Sequence, residues 1–163
     1  MAFDREELLA AAARERAGEG ASETSSKALP VLTFFWGEEL YALPLGEIRE
    51  VAKMGPLTPV PGLPPILLGA VNLRGEVLAV ADVRTLFGLE RGRVAAGSRL
   101  VVVPYGAERL GILADSIGDI VELSPSESEA VAGDFLSGRY VLSSGRVASL
   151  LSLPRILGAL AER

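Results

Sequence analysis

The 163-residue chain contains no cysteine and no histidine. Without cysteine there is no disulfide, no thiolate nucleophile and no sulfur-ligated metal. Without histidine there is no serine or cysteine triad of the usual kind, no imidazole-ligated metal and no phosphotransfer through histidine. Chemistry built on Asp, Glu, Lys, Ser and Tyr alone stays open, and it is the less common route. Lysine is scarce as well: Lys27 and Lys53 are the only two. No G-x-x-x-x-G-K-[ST] phosphate loop is present, and the scattered glycines form no dinucleotide fingerprint after a strand. The net charge is −5. An acidic chain does not build the basic footprint of a nucleic-acid binder or a patch for anionic lipid. The expectation is therefore no nucleic-acid partner, no catalytic residue, no metal and no cofactor.

A spanning segment is also missing. Met54 to Leu73 is twenty residues without a formal charge, long enough to suggest a membrane helix. However, Pro56, Pro59, Pro61, Pro64 and Pro65 fall inside it, with Gly55, Gly62 and Gly69. That density of breakers argues against a helix. The start, Met1-Ala2-Phe3-Asp4-Arg5-Glu6-Glu7, lacks the basic and apolar regions of a signal peptide. A cytoplasmic protein without direct membrane insertion is expected.

What the chain does have is apolar surface, 49% of its residues, enough for one domain or two small packed subdomains. Asp4 with Glu7 forms a capping-box pattern that predicts a short helix over 5–17. Little apolar surface follows it, and 18–27 is Gly, Glu, Ser and Thr. Residues 1–28 are therefore expected to be a flexible tail, or else a helix that docks on a partner. The folded part is expected over 29–163. Val31 to Trp36 is β-branched and aromatic and reads as a strand, and Leu40 to Leu43 as its return after a Gly37-Glu38-Glu39 turn. Leu45 to Lys53 fits either a helix face or a strand end. The proline-rich stretch reads as an irregular crossing, with a helical turn over 65–68. Further strands are expected over 77–81, 100–103, 110–113, 117–123, 140–142 and 147–151, the last two joined by Ser143-Ser144-Gly145-Arg146. Thr85 to Gly88 reads as a short helical turn, and Pro154 to Leu160 as a closing helix with proline in its first turn. About eight to ten short strands with little helix indicate an all-β barrel or a pair of barrels. No short sequence period is evident, which argues against a solenoid or propeller.

Two constellations invite a chemical reading. Asp115, Asp119 and Glu122 could hold a hard metal or act as an acid–base pair, but the spacing is not that of an EF-hand, and a solvated strand face accounts for it. Arg74 interrupts an apolar region in Asn72-Leu73-Arg74-Gly75-Glu76. Either it pairs with Asp82 or Glu76 at a simple turn, or it projects to engage another protein through its planar fork. Residue chemistry leaves both open.

Four ordered stretches resemble one family. Gly69-Ala70-Val71-Asn72-Leu73-Arg74-Gly75, followed by Asp82-Val83-Arg84, is similar to the G-x-x-N-L-R-G…D-L-R signature of CheW-like domains. Gly37 to Leu45 resembles its G-x-x-x-Y-A-[IL]-P-[IL] hairpin. Val60-Pro61-Gly62-Leu63-Pro64 resembles its VPG-x-P crossing, and Gly111 to Ile117 its G-[IL]-x-V-D-x-V segment. The resemblance runs from about Leu32 to Leu157. It implies two packed SH3-like five-stranded β-barrels with short helices, including a C-terminal one. It implies an adaptor joining the regulatory domain of a chemotaxis histidine kinase to the cytoplasmic tip of a methyl-accepting chemoreceptor, recruited to membrane-associated receptor arrays and monomeric when isolated. In the family a receptor hairpin lies in a groove between the barrels, near the V-x-E-[IV] and NLRG segments. Carried over, the partner-binding residues are Ile48, Glu50, Asn72, Leu73, Arg74 and Gly75, with Gly69 allowing close backbone approach. A paralogue serving another chemosensory pathway, such as surface motility, or a regulator that localises or sequesters array components, fits the same resemblance. An enzyme is the remaining class.

Overall fold

The computed structural model describes residues 3–4, 28–124, 128–129 and 133–162. The helix expected over 5–17 and the stretch 18–27 lie outside the described residues. Twelve strands are described: β1 (Phe3–Asp4), β2 (Leu29–Trp36), β3 (Glu39–Pro44), β4 (Glu50–Lys53), β5 (Leu67–Leu73), β6 (Glu76–Ala81), β7 (Arg99–Tyr105), β8 (Glu108–Ala114), β9 (Ser116–Leu123), β10 (Ser128–Glu129), β11 (Leu136–Val141) and β12 (Val147–Leu151). Among the described residues there is one α-helix, α1 (Leu153–Ala161), which follows β12.

The strands form two mixed sheets. The first has the order β1-β4-β7-β8-β6-β5 and the second β10-β11-β12-β3-β2-β9. Each holds five longer strands and one two-residue addition. The five-strand cores are built alike. In β4-β7-β8-β6-β5 the pairings run antiparallel, antiparallel, parallel, antiparallel, and β9-β2-β3-β12-β11 repeats that series. The first core comes from one continuous segment, whereas the second takes its β2–β3 hairpin from the N-terminal side and the rest from beyond residue 115. The repeat is circularly permuted, so no tandem period appears in the sequence.

Three apolar clusters account for the layering. Val71, Leu78, Val80, Leu100, Val102 and Leu113 fill the inner face of the first sheet. Val31, Ala42, Leu123 and Leu150 do the same for the second. The largest cluster lies between them: Leu32, Phe34, Trp36, Tyr41 and Leu43 of the second sheet meet Val51, Ala81, Val101, Val103, Leu110 and Ile112 of the first. Alternation along each strand sends neighbouring residues to the two faces, and both faces are apolar here because each is covered. Helix α1 adds Leu153, Ile156 and Leu160 to the central cluster, the i, i+3, i+7 stripe of an amphipathic helix.

The ambiguous stretch after Leu43 resolves into a one-turn 3-10 helix at Leu45–Glu47 and then β4. The helical turn expected over 65–68 is not formed: Pro65–Ile66 is a turn, and β5 begins at Leu67. Backbone pairing with Ala81 and Val80 of β6 prevails over the local proline signal there. A second 3-10 helix, Val83–Phe87, is capped by Asp82, which accepts from the Arg84 backbone N–H at 3.3 Å, and ends on left-handed Gly88.

Candidate interaction site

The β5–β6 hairpin turns on two residues, Arg74 and Gly75, at φ 50° and 87°. Positive φ at both positions is the geometry that matches the twist of flanking strands. Glycine takes it freely, but for arginine it is uncommon. Asn72 supports the turn, its Oδ1 accepting from the Gly75 N–H at 2.9 Å. Arg74 is held by Glu50, with Nη2 at 2.6 and 2.5 Å from the two carboxylate oxygens. Glu50 stands on β4, at the other end of the five-strand core, so this pair spans the mouth of a sheet that has curled on itself. Arg109 of β8 donates from Nη1 to the same carboxylate at 3.1 Å and from Nη2 to Glu76. Four charged side chains thus form one rim. Glu50 is buried within it, while the Arg74 side chain is 58% exposed.

The sequence left two readings of Arg74 open, pairing with Asp82 or Glu76 or projecting toward another protein, and the structure corrects the pairing. It pairs with Glu50, Glu76 pairs with Arg109, and Asp82 with Arg84. Of the other expected site residues, Asn72 and Gly75 are exposed beside Arg74 and Leu73 is half-buried. Ile48 is fully buried in the central cluster, so it shapes the site from beneath. Gly69 is buried at φ 145°, where a Cβ would run into the Thr58 carbonyl oxygen. Thr58 and Ala70 exchange backbone hydrogen bonds of 2.8 and 2.9 Å across that approach. Arg109 was not read from the sequence as part of the site. Its one signal is that it sits directly before the apolar run Leu110 to Leu113.

Apolar surface adjoins the rim. Val77, opposite Asn72 in the ladder, is 80% exposed. Two residues along the same face, Ala79 stands beside Leu110 of β8. Leu110 lines a cleft of about 330 Å³ with Leu63, Pro64, Ile66, Leu67, Tyr105 and Leu160. This face therefore carries a hairpin tip, an exposed cation and an apolar cleft leading to α1.

A second charge cluster does different work. Arg84 Nε lies 2.7 Å from Asp82 Oδ1, and its Nη2 3.0 Å from Asp115 Oδ1. Asp82 also accepts from the Gly92 N–H, and Asp115 from the Gly37 N–H, each at 2.6 Å. Arg84 lies over the Trp36 ring, whose Nε1 donates to the Leu113 carbonyl at 2.8 Å. Together these ties link the end of β6, the β8–β9 junction and the β2–β3 turn, one sheet to the other. Burial works to raise the Asp115 pKa, but the Arg84 hydrogen bond, the Gly37 N–H and the Arg84 charge outweigh it and hold the carboxyl below its ordinary value. Asp119 is exposed and Glu122 half-buried. Among the described residues, no group of three or more carboxylates is placed to hold a metal, and no helix is long and apolar enough to cross a membrane.

Comparison with known proteins identifies the family of the chain. The CheW-like domain model matches residues 30–161. The chain belongs to the CheW-like domain family. It is 27% identical over 150 residues to a protein named Chemotaxis protein CheW from Helicobacter pylori (strain ATCC 700392 / 26695), covering 88% of this chain and 90% of that one. It is 31% identical over 96 residues to Protein FrzA of Myxococcus xanthus, covering 57% of this chain and 60% of FrzA. The crystal structure of scaffolding protein TtCheW from Thermoanaerobacter tengcongensis superposes with a TM-score of 0.68 at 23% identity, over 77% of this chain and 90% of that one. That likeness confirms the two-sheet fold with its C-terminal helix. Within this CheW-like domain the Asp82–Arg84–Asp115 cluster ties the two sheets together.

Proposed function

We propose that this CheW-like domain is an adaptor that couples the cytoplasmic tip of a methyl-accepting chemoreceptor to the regulatory domain of a chemotaxis histidine kinase. One observation carries the reading. Arg74 is exposed on a rigid two-residue turn, held in a sparsely populated backbone conformation by a buried carboxylate, beside an exposed Val77 and an apolar cleft. Backbone strain at such a position persists when the surroundings over-determine it, and it clusters at functional sites. Arginine on an apolar border is the residue type that dominates interface energetics. In this reading Arg74, Asn72, Leu73 and Gly75 contact the receptor, Glu50 orients Arg74, and Ile48 and Gly69 shape the surface from below. The domain works in the cytoplasm, monomeric when isolated, and joins membrane-associated arrays through its partners.

The relationship to FrzA favours a second reading, an adaptor of the same design serving another chemosensory pathway. Co-purification distinguishes them. The purified chain is mixed with a chemoreceptor cytoplasmic fragment and a chemotaxis kinase regulatory domain. A ternary complex is the expected result. Capture of neither partner would overturn the first reading.

A further inference from the structure

We propose that the loop from Leu89 to Arg99 is a second interaction surface, and that it takes an acidic, extended segment of a partner protein. The loop stands out in a chain of net charge −5. Between Asp82 and Glu108 the one carboxylate is Glu90, against Arg84, Arg91, Arg93 and Arg99. Arg84 is taken up by Asp82 and Asp115. Arg91 and Arg93 are exposed and form no ion pair among the described residues. Arg99 is met by carbonyl groups, its Nη1 donating to Ala96, Gly97 and Ser98 at 3.5, 3.1 and 3.0 Å. Across the ladder it stands opposite Lys53, another exposed cation. Positive potential therefore collects along this one edge.

The loop is anchored at both ends. The Leu89 N–H donates to the Arg84 carbonyl at 3.2 Å, and the Gly92 N–H to Asp82 Oδ2 at 2.6 Å. Gly92 lies so close over Arg84 that a Cβ there would run into the guanidinium. Buried Ser98 donates its N–H to the Ala95 carbonyl at 3.0 Å, and its Oγ accepts from the Ala95 N–H at 2.9 Å. A surface fixed in advance loses little conformational entropy on binding. Arg91 and Arg93 flank the fixed Gly92, and Leu89 and Val94, each 42% exposed, border them. Guanidinium forks bind carboxylates bidentately, and apolar side chains of the same segment can cover Leu89 and Val94. A membrane fits less well, because attraction to anionic lipid takes about four to eight clustered cations. The surface is also separate from the hairpin. β6 leaves the hairpin at Glu76 and ends at Ala81, about 17 Å away at about 3.3 Å per residue. β4 likewise runs from Glu50 in the rim to Lys53. The inference does not rest on the adaptor reading.

The probe is a short synthetic peptide of alternating glutamate and leucine, titrated into the full chain while its backbone amide NMR shifts are followed. Saturable shifts at amides 89–99 are expected, with affinity falling as salt rises. Arg91→Gln/Arg93→Gln should weaken binding about 10-fold or more. Its melting temperature should stay unchanged, because both side chains are exposed. Arg139→Gln, at an exposed cation on β11, should leave binding as it was. Arg74→Ala should leave the shifts at 89–99 in place, so failure of this surface and failure of the hairpin site are read separately. The proposal is overturned if the peptide leaves 89–99 unshifted, if a glutamine-for-glutamate peptide binds equally well, or if the double variant binds like the wild type. Shifts at 89–99 caused by phosphatidylserine vesicles and not by the peptide would assign the surface to a membrane and contradict it. Shifts there that grow with protein concentration alone would assign the occupant to a second copy, which also contradicts it.

Discussion

Two arginines ten residues apart, Arg74 and Arg84, have opposite fates, and burial decides between them. Arg84 is buried between Asp82 and Asp115. Removing its guanidinium leaves Asp82, fully buried, without its ionic partner. Arg84→Ala is therefore expected to cost about 3–5 kcal/mol of stability. Asp82→Ala should cost a similar amount, and the double variant should cost far less than the sum. Chemical denaturation of the three variants checks this. Additive losses would mean that the two residues do not act as one unit. The sequence reading took Asp115 for part of a solvated strand face; instead its carboxylate pairs with Arg84 and accepts from the Gly37 N–H. The clamp joins positions 31 residues apart across two sheets, and no local pattern encodes that. The same limit hid the pair of Arg74 with Glu50, which lies 24 residues earlier on a strand at the far end of the five-strand order.

At the scale of elements, the strands were largely readable because their apolar alternation and their turn residues agree. The run Val77 to Ala81, ended by Asp82, became β6 and its capped 3-10 helix. The proline-rich crossing was less readable, since its path is fixed by the Thr58–Ala70 bridge and not by local preference. Gly69 makes that bridge possible. Gly69→Ala places a side chain against the Thr58 carbonyl at a positive φ, and it is expected to destabilise the fold by about 1–3 kcal/mol. Exchange at Thr58 and Ala70 should quicken most. Stability unchanged within error would show that the crossing can shift away at no cost. Ile48 and Glu50 precede this crossing; the sequence marked them through the motif, and side-chain chemistry separates the apolar supporting residue from the carboxylate that holds Arg74.

For the whole molecule, two carboxyl groups set the acid response in opposite senses. The Asp115 pKa is depressed below its ordinary value of 3.8. Its contribution is thus fully present above that pH and is lost as pH falls through the folded value. The Glu47 pKa is raised above its ordinary 4.5 by burial. Its contribution is present below that pH and is lost as pH rises through the folded value. Asp115→Asn should accordingly be less stable at neutral pH and show a flatter decline below about pH 4. Glu47→Gln should be more stable at neutral pH. Melting curves across pH 2.5–7, a range of about five units, check both signs. The two-sheet architecture was expected from strand count and motif order, yet the permuted repeat was not, because the β2–β3 hairpin precedes in sequence the strands whose sheet it completes.

The central claim is that the turn at Arg74 serves an interface and is dispensable for the fold. The most direct measurement is a binding titration of Arg74→Ala against a chemoreceptor cytoplasmic fragment, with a denaturant melt on the same sample. Arg74 is more than half exposed, and Glu50 keeps Arg109 when it goes, so the stability loss should be about 1 kcal/mol or less. Binding should weaken by about 2–4 kcal/mol, as for an interface anchor. Unchanged binding together with a loss of about 3 kcal/mol or more in stability would contradict the account and make the rim a structural element alone.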